Sequence, residues 1–380
     1  MEAEELFSGF ARAFVDTCAA SGAPVGDLTP GAALSAREEA PECAPGATVY
    51  AIGDLHGDVD KALSAYALAG LVDEHGRWRV ARPGSVVAVQ LGDLLDRGGN
   101  GEVELLLTQE RLRQEASASG CTHVGLLGNH EVMAMRADTR YATECACADF
   151  ARWEAYRALG ARLEQVGSRL RTLEDSAIMP FSGNAAASAL EEDRCAARSR
   201  MLEPGSPVSR QLLGNRPAVS LLRCKSHTEA FAHGGLLQQH STGEAWRHIN
   251  GNIQSWVRDG NSDLSKTPPN AARGRESVIW SRHYSYEDER KCDCSELKAA
   301  LASLKASRLI VGHTIQKSGI NAACDGAVLR ADVGMSEQCR DAPPQVVEIS
   351  PDGSSTFRLQ WSEDGSTVER VPLTPLEQHH

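Results

Sequence analysis

Five short segments of this chain set metal-binding side chains directly behind apolar runs. GDLHG (Gly53–Gly57) carries Asp54 and His56, GDLLDRG (Gly92–Gly98) carries Asp93, and GNHE (Gly128–Glu131) carries Asn129. HGG (His233–Gly235) and VGH (Val311–His313) add His233 and His313. Asp54 and His56 stand two apart, and the glycines on either side let the backbone turn both toward one cation. A carboxylate such as Asp93 can bridge two cations, and Asn129 offers an amide oxygen. Mixed His, carboxylate and amide ligation suits Mn²⁺, Fe or Zn²⁺, with positions left open for water. Two such cations about 3.5 Å apart can hold a hydroxide nucleophile and clamp a phosphoryl group. A lone His behind a strand is more often packed core than ligand. Six donors in this order, each at a strand-like exit, are not explained that way.

The neighbours of these donors supply the rest of a phosphoryl-transfer site. His130 follows Asn129 and faces the metals without needing to bind one. Asp96 lies three residues after Asp93 and can orient an imidazole and stabilise its charge, so the pair reads as a general acid for a leaving alkoxide. Arg97 can hold phosphate oxygens in a fork.

These residues need a scaffold that delivers strand ends to one place. Ala47–Ile52, Ser85–Leu91 and Val124–Leu127 read as strands, each ending at a motif glycine, and Asp58–Ala69 and Glu102–Ser119 read as helices between them. This rhythm implies an α/β core with its active residues on strand-exit loops. Val219–Arg223 and Glu229–Ala232 read as a hairpin delivering His233, and Arg308–Val311 as a strand delivering His313. Ala327–Asp332, Gln345–Ile349 and Thr356–Trp361 follow, the last two joined by a Pro-Asp-Gly turn at 351–353. Between these blocks, residues 135–215 are rich in Ala, Arg and Glu with helical periodicity, strongest over Arg140–Leu173. They read as a helical insertion beside the site. The domain reading is an extension of helix (1–20) and loop (to 46), a catalytic domain over 47–362, and a tail over 363–380. The final LEQHH resembles a vector-derived tag, so His379 and His380 are set aside.

Composition narrows the partners. The chain has 380 residues, 42% hydrophobic and 24% charged, enough for a large core. A net charge of −12 without a Lys/Arg stripe argues against nucleic acid. No apolar run is long enough to span a bilayer. The acidic, amphipathic MEAEELFSGFARAF lacks the pattern of a secretory signal, which leaves the compartment open, intracellular or organellar.

GDLHG, GDLLDRG, GNHE, HGG and VGH in this order resemble the phosphoprotein phosphatase family of metallophosphoesterases. GDLHGD, LGDLLDRGG, GNHEVM followed by Arg140-Tyr141, FAHGGLL, VIWSR, KCDC, GHTIQKSGIN and ADVGMS resemble its Shewanella-like branch. The resemblance covers about residues 47–350. It implies a calcineurin-like β-sandwich core of two mixed sheets flanked by helices. It implies Asp54 and His56 on a first divalent metal, Asp93 bridging, and Asn129, His233 and His313 on a second, with manganese the first expectation. It also implies His130 with Asp96 as the proton donor, and phosphate held by Arg97, Asn129 and a second arginine. Trp280–Arg282 matches the pattern for that arginine, so Arg282 is nominated, with Arg275 as fallback. The implied reaction is direct attack by a metal-bridging hydroxide on a phosphoprotein, phosphoserine or phosphothreonine before phosphotyrosine, without a phosphoenzyme. Hydrolysis of small phosphoesters or dinucleotide polyphosphates is the second reading, and an inactive phosphoprotein-binding module a remote third.

Two features depart from the better-known Ser/Thr phosphatases of the family. Leu127 stands where those carry an arginine before GNHE, and no SAPNYC-type C-terminal loop is present. Weak inhibition by okadaic acid or microcystin-type toxins is therefore expected. The eleven cysteines include two C-x-C pairs, Cys145/Cys147 and Cys292/Cys294. They read first as reduced, partly buried thiols. A disulfide involving the second pair, and a zinc site built from both pairs, are alternatives. Cys292 lies ten residues beyond Arg282, so Cys292 and Cys294 are candidates for redox control of the phosphate pocket.

Overall fold

The computed structural model describes residues 41–98, 101–155, 157, 194–260 and 267–373. The expected helix over 1–20, and most of the loop after it, lie outside these residues.

Strands β1 (Thr48–Ile52), β2 (Val86–Gln90) and β3 (Thr122–Gly125) run parallel. All five residues of β2 (VVAVQ) are buried, the continuous apolar character expected of a strand covered on both faces. Between them run helices α1 (Val59–Leu68) and α2 (Glu102–Ala118), with α3 (Asn129–Met135) after β3. Asp58 caps α1 through its carboxylate, which accepts the Lys61 N–H at 3.0 Å. Strand β3 ends two residues before the expected limit. Its ladder with β2 closes at Gly125 opposite Gln90, and the Leu127 N–H turns to Pro217 O at 3.0 Å.

Among the described residues the insertion is helical over 144–155 and in α4 (Arg194–Leu202), with a single π-turn at Ser209–Leu213. Residues 140–143 are turn, and the stretch from 158 to 173 lies outside the described residues. The hairpin β4 (Val219–Arg223) and β5 (Thr228–Ala232) forms as expected. Two further helices, α5 (Ala245–Asp259) and α6 (Cys294–Leu304), stand outside the sequence reading. Helix α5 buries Trp246, Ile249, Ile253 and Val257, one face at helical spacing. Strand β6 (Arg308–Val311), short strands β7 (Asn321–Ala323) and β8 (Val328–Arg330), then β9 (Gln345–Ile349), β10 (Thr356–Trp361) and β11 (Val368–Pro372) complete the chain. Strand β11 continues the sheet beyond residue 362, where a tail is expected. Its alternation VERVP is largely exposed and charged, which suits an edge strand but leaves no apolar signal to read.

Two mixed sheets result. One runs β11-β10-β9-β1-β2-β3 and the other β4-β5-β6-β8-β7. Val49, Ile52 and Val89 of the first share one continuous core with Phe231, Ile310 and Leu329 of the second. Strands β1, β2 and β3 are mutually parallel, as are β5, β6 and β8, so each group brings its carboxyl ends to one edge.

Disulfides join Cys43 to Cys224, Cys147 to Cys195 and Cys294 to Cys324. Reduced thiols are thus the wrong reading for these six, and the disulfide alternative for the second C-x-C pair is the correct one. Each C-x-C pair commits one member to a distant partner, which removes the four-cysteine zinc site. Cys121, Cys145, Cys292 and Cys339 are free thiols.

Candidate metal centre

The carboxyl ends of β1, β2, β5 and β6 release Asp54 and His56, Asp93, His233 and His313 respectively, and α3 presents Asn129 and His130 from its first turn. Ligands gather at such strand ends because the loops there are free of the ladder. All seven side chains are buried. The backbone bends hard to place them. His56, Asp93, Asp96, Arg97 and His313 have φ of 45°, 54°, 64°, 58° and 66°, a left-handed region that costs about 1–3 kcal/mol for each such residue. Gly92, at φ 97°, makes the turn before Asp93. Gly128 is needed for a different reason, since a Cβ there would strike the Asp93 backbone and carboxylate.

Glu131 holds the loop after β2 in this shape. Its carboxylate accepts N–H groups from Asp93 (2.9 Å), Leu94 (2.7 Å), Leu95 (3.1 Å) and Gly128 (2.8 Å). Glu131 lies within GNHE, but nothing local in the sequence marks this role.

Asp93 is the hub. The donor atoms of His56, Asp93 and His130 lie within 4.8 Å of one another, as do those of Asp93, His233 and His313. His233 Nε2 is 3.3 Å from Asp93 Oδ2 and 2.9 Å from Asn129 Oδ1. His56 Nδ1 lies 2.9 Å from Leu95 O and His233 Nδ1 2.8 Å from Leu91 O. A carbonyl only accepts, so each Nδ1 carries a proton and each Nε2 is turned to the pocket. Asp54 is outside both clusters, 4.0 Å from His233 Nδ1, and its oxygens accept the His313 N–H at 3.2 and 3.1 Å.

The donor set fits divalent cations. His313 Nε2 is buried with no hydrogen-bond partner. Burial, then Asp332 and Asp93, pushes the Asp54 carboxyl well above its usual range. Burial works to raise the Asp93 carboxyl too, but the imidazoles around it, His233 first, hold it well below. Burial lowers His56 to about 4 and sends His313 well below the usual imidazole value, so both are lone-pair donors at neutral pH. His56 and His313 are thus neutral donors beside buried carboxylates, a pairing to which a dication would bring positive charge.

His130 is poised differently. Its Nδ1 meets Asp96 Oδ2 at 2.7 Å. Burial lowers its pKa, but Asp93 and Asp96 outweigh that and raise it above the usual value. The Asp96 carboxylate is itself fully buried, and its second oxygen accepts Arg198 Nη2 at 2.9 Å. Arg198 and its partner Glu102 carry no signal in the sequence reading.

The arginines flank this pocket. The Arg97 N–H donates to Tyr141 O at 2.9 Å, and its guanidinium lies 4.9 Å from the Tyr141 ring centroid. That ring is also 5.3 Å from the His130 ring, so Tyr141 walls both groups. Arg282 Nη1 donates to His313 O (3.2 Å) and Thr314 Oγ1 (2.7 Å). Among the described residues neither Arg97 nor Arg282 has a carboxylate ion-pair partner. Arg275 is exposed. Buried Asp332, raised to about 6 by burial with Asp93 adding to it, stands after β8 and was quoted within ADVGMS without a role. Cys292 Sγ contacts Tyr286 O at 3.7 Å, while Cys294 is in its disulfide.

The chain belongs to the calcineurin-like phosphoesterase family, whose model matches residues 47–317. Its branch is that of the Shewanella-like protein phosphatases. It is 35% identical over 357 residues to Shewanella-like protein phosphatase 2 of Arabidopsis thaliana, covering 92% of this chain and 85% of the relative. Shewanella-like protein phosphatase 1 of Plasmodium berghei is 24% identical over 296 residues, covering 76% of this chain and 67% of that one. Among solved structures, a mutant cold-active protein tyrosine phosphatase superposes with a TM-score of 0.60 at 19% identity, covering 92% of this chain and 88% of that one. The cold-active protein-tyrosine phosphatase of a psychrophilic Shewanella species gives 0.54 at 19%, with the same coverage. The motif resemblance and the two-sheet fold are both borne out. No helix among the described residues is long and apolar enough to cross a membrane.

Proposed function

We propose that this chain is a dinuclear-metal protein phosphatase that hydrolyses phosphoserine and phosphothreonine and accepts phosphotyrosine. The observation that carries the reading is Asp93 shared between two donor clusters, with the His130–Asp96 pair and two arginines around it that have no carboxylate partner among the described residues. Asp54, His56 and Asp93 would hold one divalent cation, and Asp93, Asn129, His233 and His313 a second, manganese before iron or zinc. Bound there, the cations supply an activated water and neutralise phosphoryl charge. Arg97 and Arg282 grip the phosphate oxygens, with the Asn129 side chain beside them, and orient the ester. His130, held by Asp96 at Nδ1, gives its Nε2 proton to the departing alkoxide. Tyr141 packs against Arg97 and His130 on that side.

The protein-substrate reading draws on the names of the protein phosphatases it resembles. A panel of peptides carrying phosphoserine, phosphothreonine or phosphotyrosine, assayed after chelation and re-addition of Mn²⁺, Fe²⁺ or Zn²⁺, tests it. Phosphate release from the peptides is expected. Silence on every peptide with cleavage of a dinucleotide polyphosphate would select the small-phosphoester reading, and silence on both the binding module. A redox link to the phosphate pocket also remains proposed for Cys292 and Cys294. Cys292 sits against Tyr286 and Arg330, and the residue before Tyr286, Ser285, meets at 2.7 Å the Thr314 Oγ1 that accepts from Arg282. Assays with and without reductant test it, and unchanged activity after full reduction of Cys294–Cys324 would sink it.

A further inference from the structure

Arg198 reaches the site from α4, 102 residues along the chain from Asp96, and is 1% exposed. Its Nη2 donates to Asp96 Oδ1 at 2.9 Å and to Glu102 Oε1 at 3.2 Å, and its Nε donates to Glu102 Oε2 at 2.8 Å. Glu102 Oε1 in turn accepts the Asp96 backbone N–H at 2.7 Å. Three buried groups thus close a ring that grips Asp96 by backbone and carboxylate together. The oxygen left over, Oδ2, is the one that meets His130 Nδ1 at 2.7 Å.

We infer that Arg198 is a positioning residue for the leaving-group proton, an inference that rests on His130 acting as general acid. A carboxylate rotates easily about its last torsion, where the preference is broad. With one oxygen fixed on a guanidinium, the other has one place to be, and the imidazole plane follows it. Asp96 also sits at φ 64°, a conformation that persists only where its surroundings over-determine it. The Glu102–Arg198 pair does that. Helix α4 is itself anchored, because Cys195, one turn before Arg198, is bonded to Cys147. The Phe150 ring, from the same segment as Cys147, lies 5.8 Å from the guanidinium carbon. The insertion therefore aims the proton donor through one side chain, besides walling the pocket.

Leaving-group dependence separates this role from simple charge balance. Dinitrophenyl phosphate needs no proton at its leaving group, whereas a phosphoserine peptide does. Arg198→Met would strand two buried carboxylates and endanger folding. Arg198→Lys keeps the charge but loses the fork that spans Asp96 and Glu102, so it carries the test, with the Arg198→Met/Glu102→Gln pair beside it. For Arg198→Lys, kcat on the phosphoserine peptide should fall about 10- to 100-fold at normal metal content, the range typical of supporting partners. Its KM, and kcat on dinitrophenyl phosphate, should stay within about 3-fold of the parent. Equal losses on the two substrates, or no loss on either, overturn the inference. His130→Asn on the same substrates is the reference. If it falls alike on both, the general-acid reading fails and takes this inference with it. If it is selective and Arg198→Lys is not, Arg198 is a charge-balancing core residue and nothing more.

Discussion

Replacing Glu131 with Gln probes what holds the Asp93 loop in its strained shape. In the parent, Oε2 accepts from Asp93 and Gly128 and Oε1 from Leu94 and Leu95, four N–H donors on one buried carboxylate. A Gln keeps one acceptor oxygen and turns an NH₂ toward two of those donors. Two hydrogen bonds to a charged acceptor are lost, each contributing about 1.5–3 kcal/mol. Part of that is offset, because burial and the nearby Asp93 already raise the Glu131 pKa, so removing the charge relieves a penalty. The net expectation is a loss of about 2–4 kcal/mol. For a domain of this size that is a fall in Tm of roughly 3–8 °C. Melts should be run in chelator, so that metal binding does not mask the change. A second consequence concerns Asp93, which has φ 54° and would relax once released. Calorimetric titration with Mn²⁺ should then show affinity reduced about 10- to 100-fold. A variant that melts within about 1 °C of the parent in chelator, and binds Mn²⁺ as tightly, would refute the claim that Glu131 shapes the loop.

Asp93→Asn and His130→Asn should each remove most turnover with an unchanged circular dichroism spectrum. The His130 change should lower kcat on phosphopeptides about 10²- to 10⁴-fold, and near-full activity would end the general-acid assignment. Arg282→Ala should raise KM and weaken product inhibition by inorganic phosphate, while the same change at exposed Arg275 should do neither; the reverse pattern would move the phosphate site. Glu229, fully buried, is pushed from 4.5 up to about 8 by burial, against the partial opposition of Arg308 at 3.2 Å. The folded chain therefore holds a proton there that the unfolded chain has released above about pH 4.5, so stability falls as pH rises from about 4.5 to about 8. Glu229→Gln should flatten the decline of Tm over that window. An unchanged slope would place the titration elsewhere.

The candidate metal donors were legible because each combines a residue type, a motif glycine and a β-rich run in a few consecutive positions. Strands β2 and β6 were legible for a related reason, since they are buried on both faces and read as unbroken apolar stretches. Arg198 was not. It is one arginine in the run RCAARSRML, and nothing local separates it from the exposed Arg200 two residues on. Its partners Asp96 and Glu102 lie about a hundred residues upstream, and only the tertiary fold brings them to it. The cysteines failed in the same way. Their bonds span 181, 48 and 30 residues, so C-x-C spacing held no information about pairing.

Strain explains why the motifs look as they do. Of ten non-glycine residues with positive φ among those described, five are His56, Asp93, Asp96, Arg97 and His313. Local preference alone would put glycine at such positions. The proposed chemistry needs imidazoles, carboxylates and a guanidinium there, so the glycines stand beside them instead, at Gly57, Gly92, Gly98 and Gly312. The unfavourable conformations must then be held from outside the loops. Glu131 does this after β2 for Asp93, and the Glu102–Arg198 pair does it for Asp96. A conflict between local preference and observed conformation is expected where function overrides folding. In this chain the residues that resolve the conflict are buried and charged, and Glu131 and Arg198 lie 38 and 102 residues from the positions they hold. They brace the candidate site from outside its motifs, which makes them much harder to see without the fold.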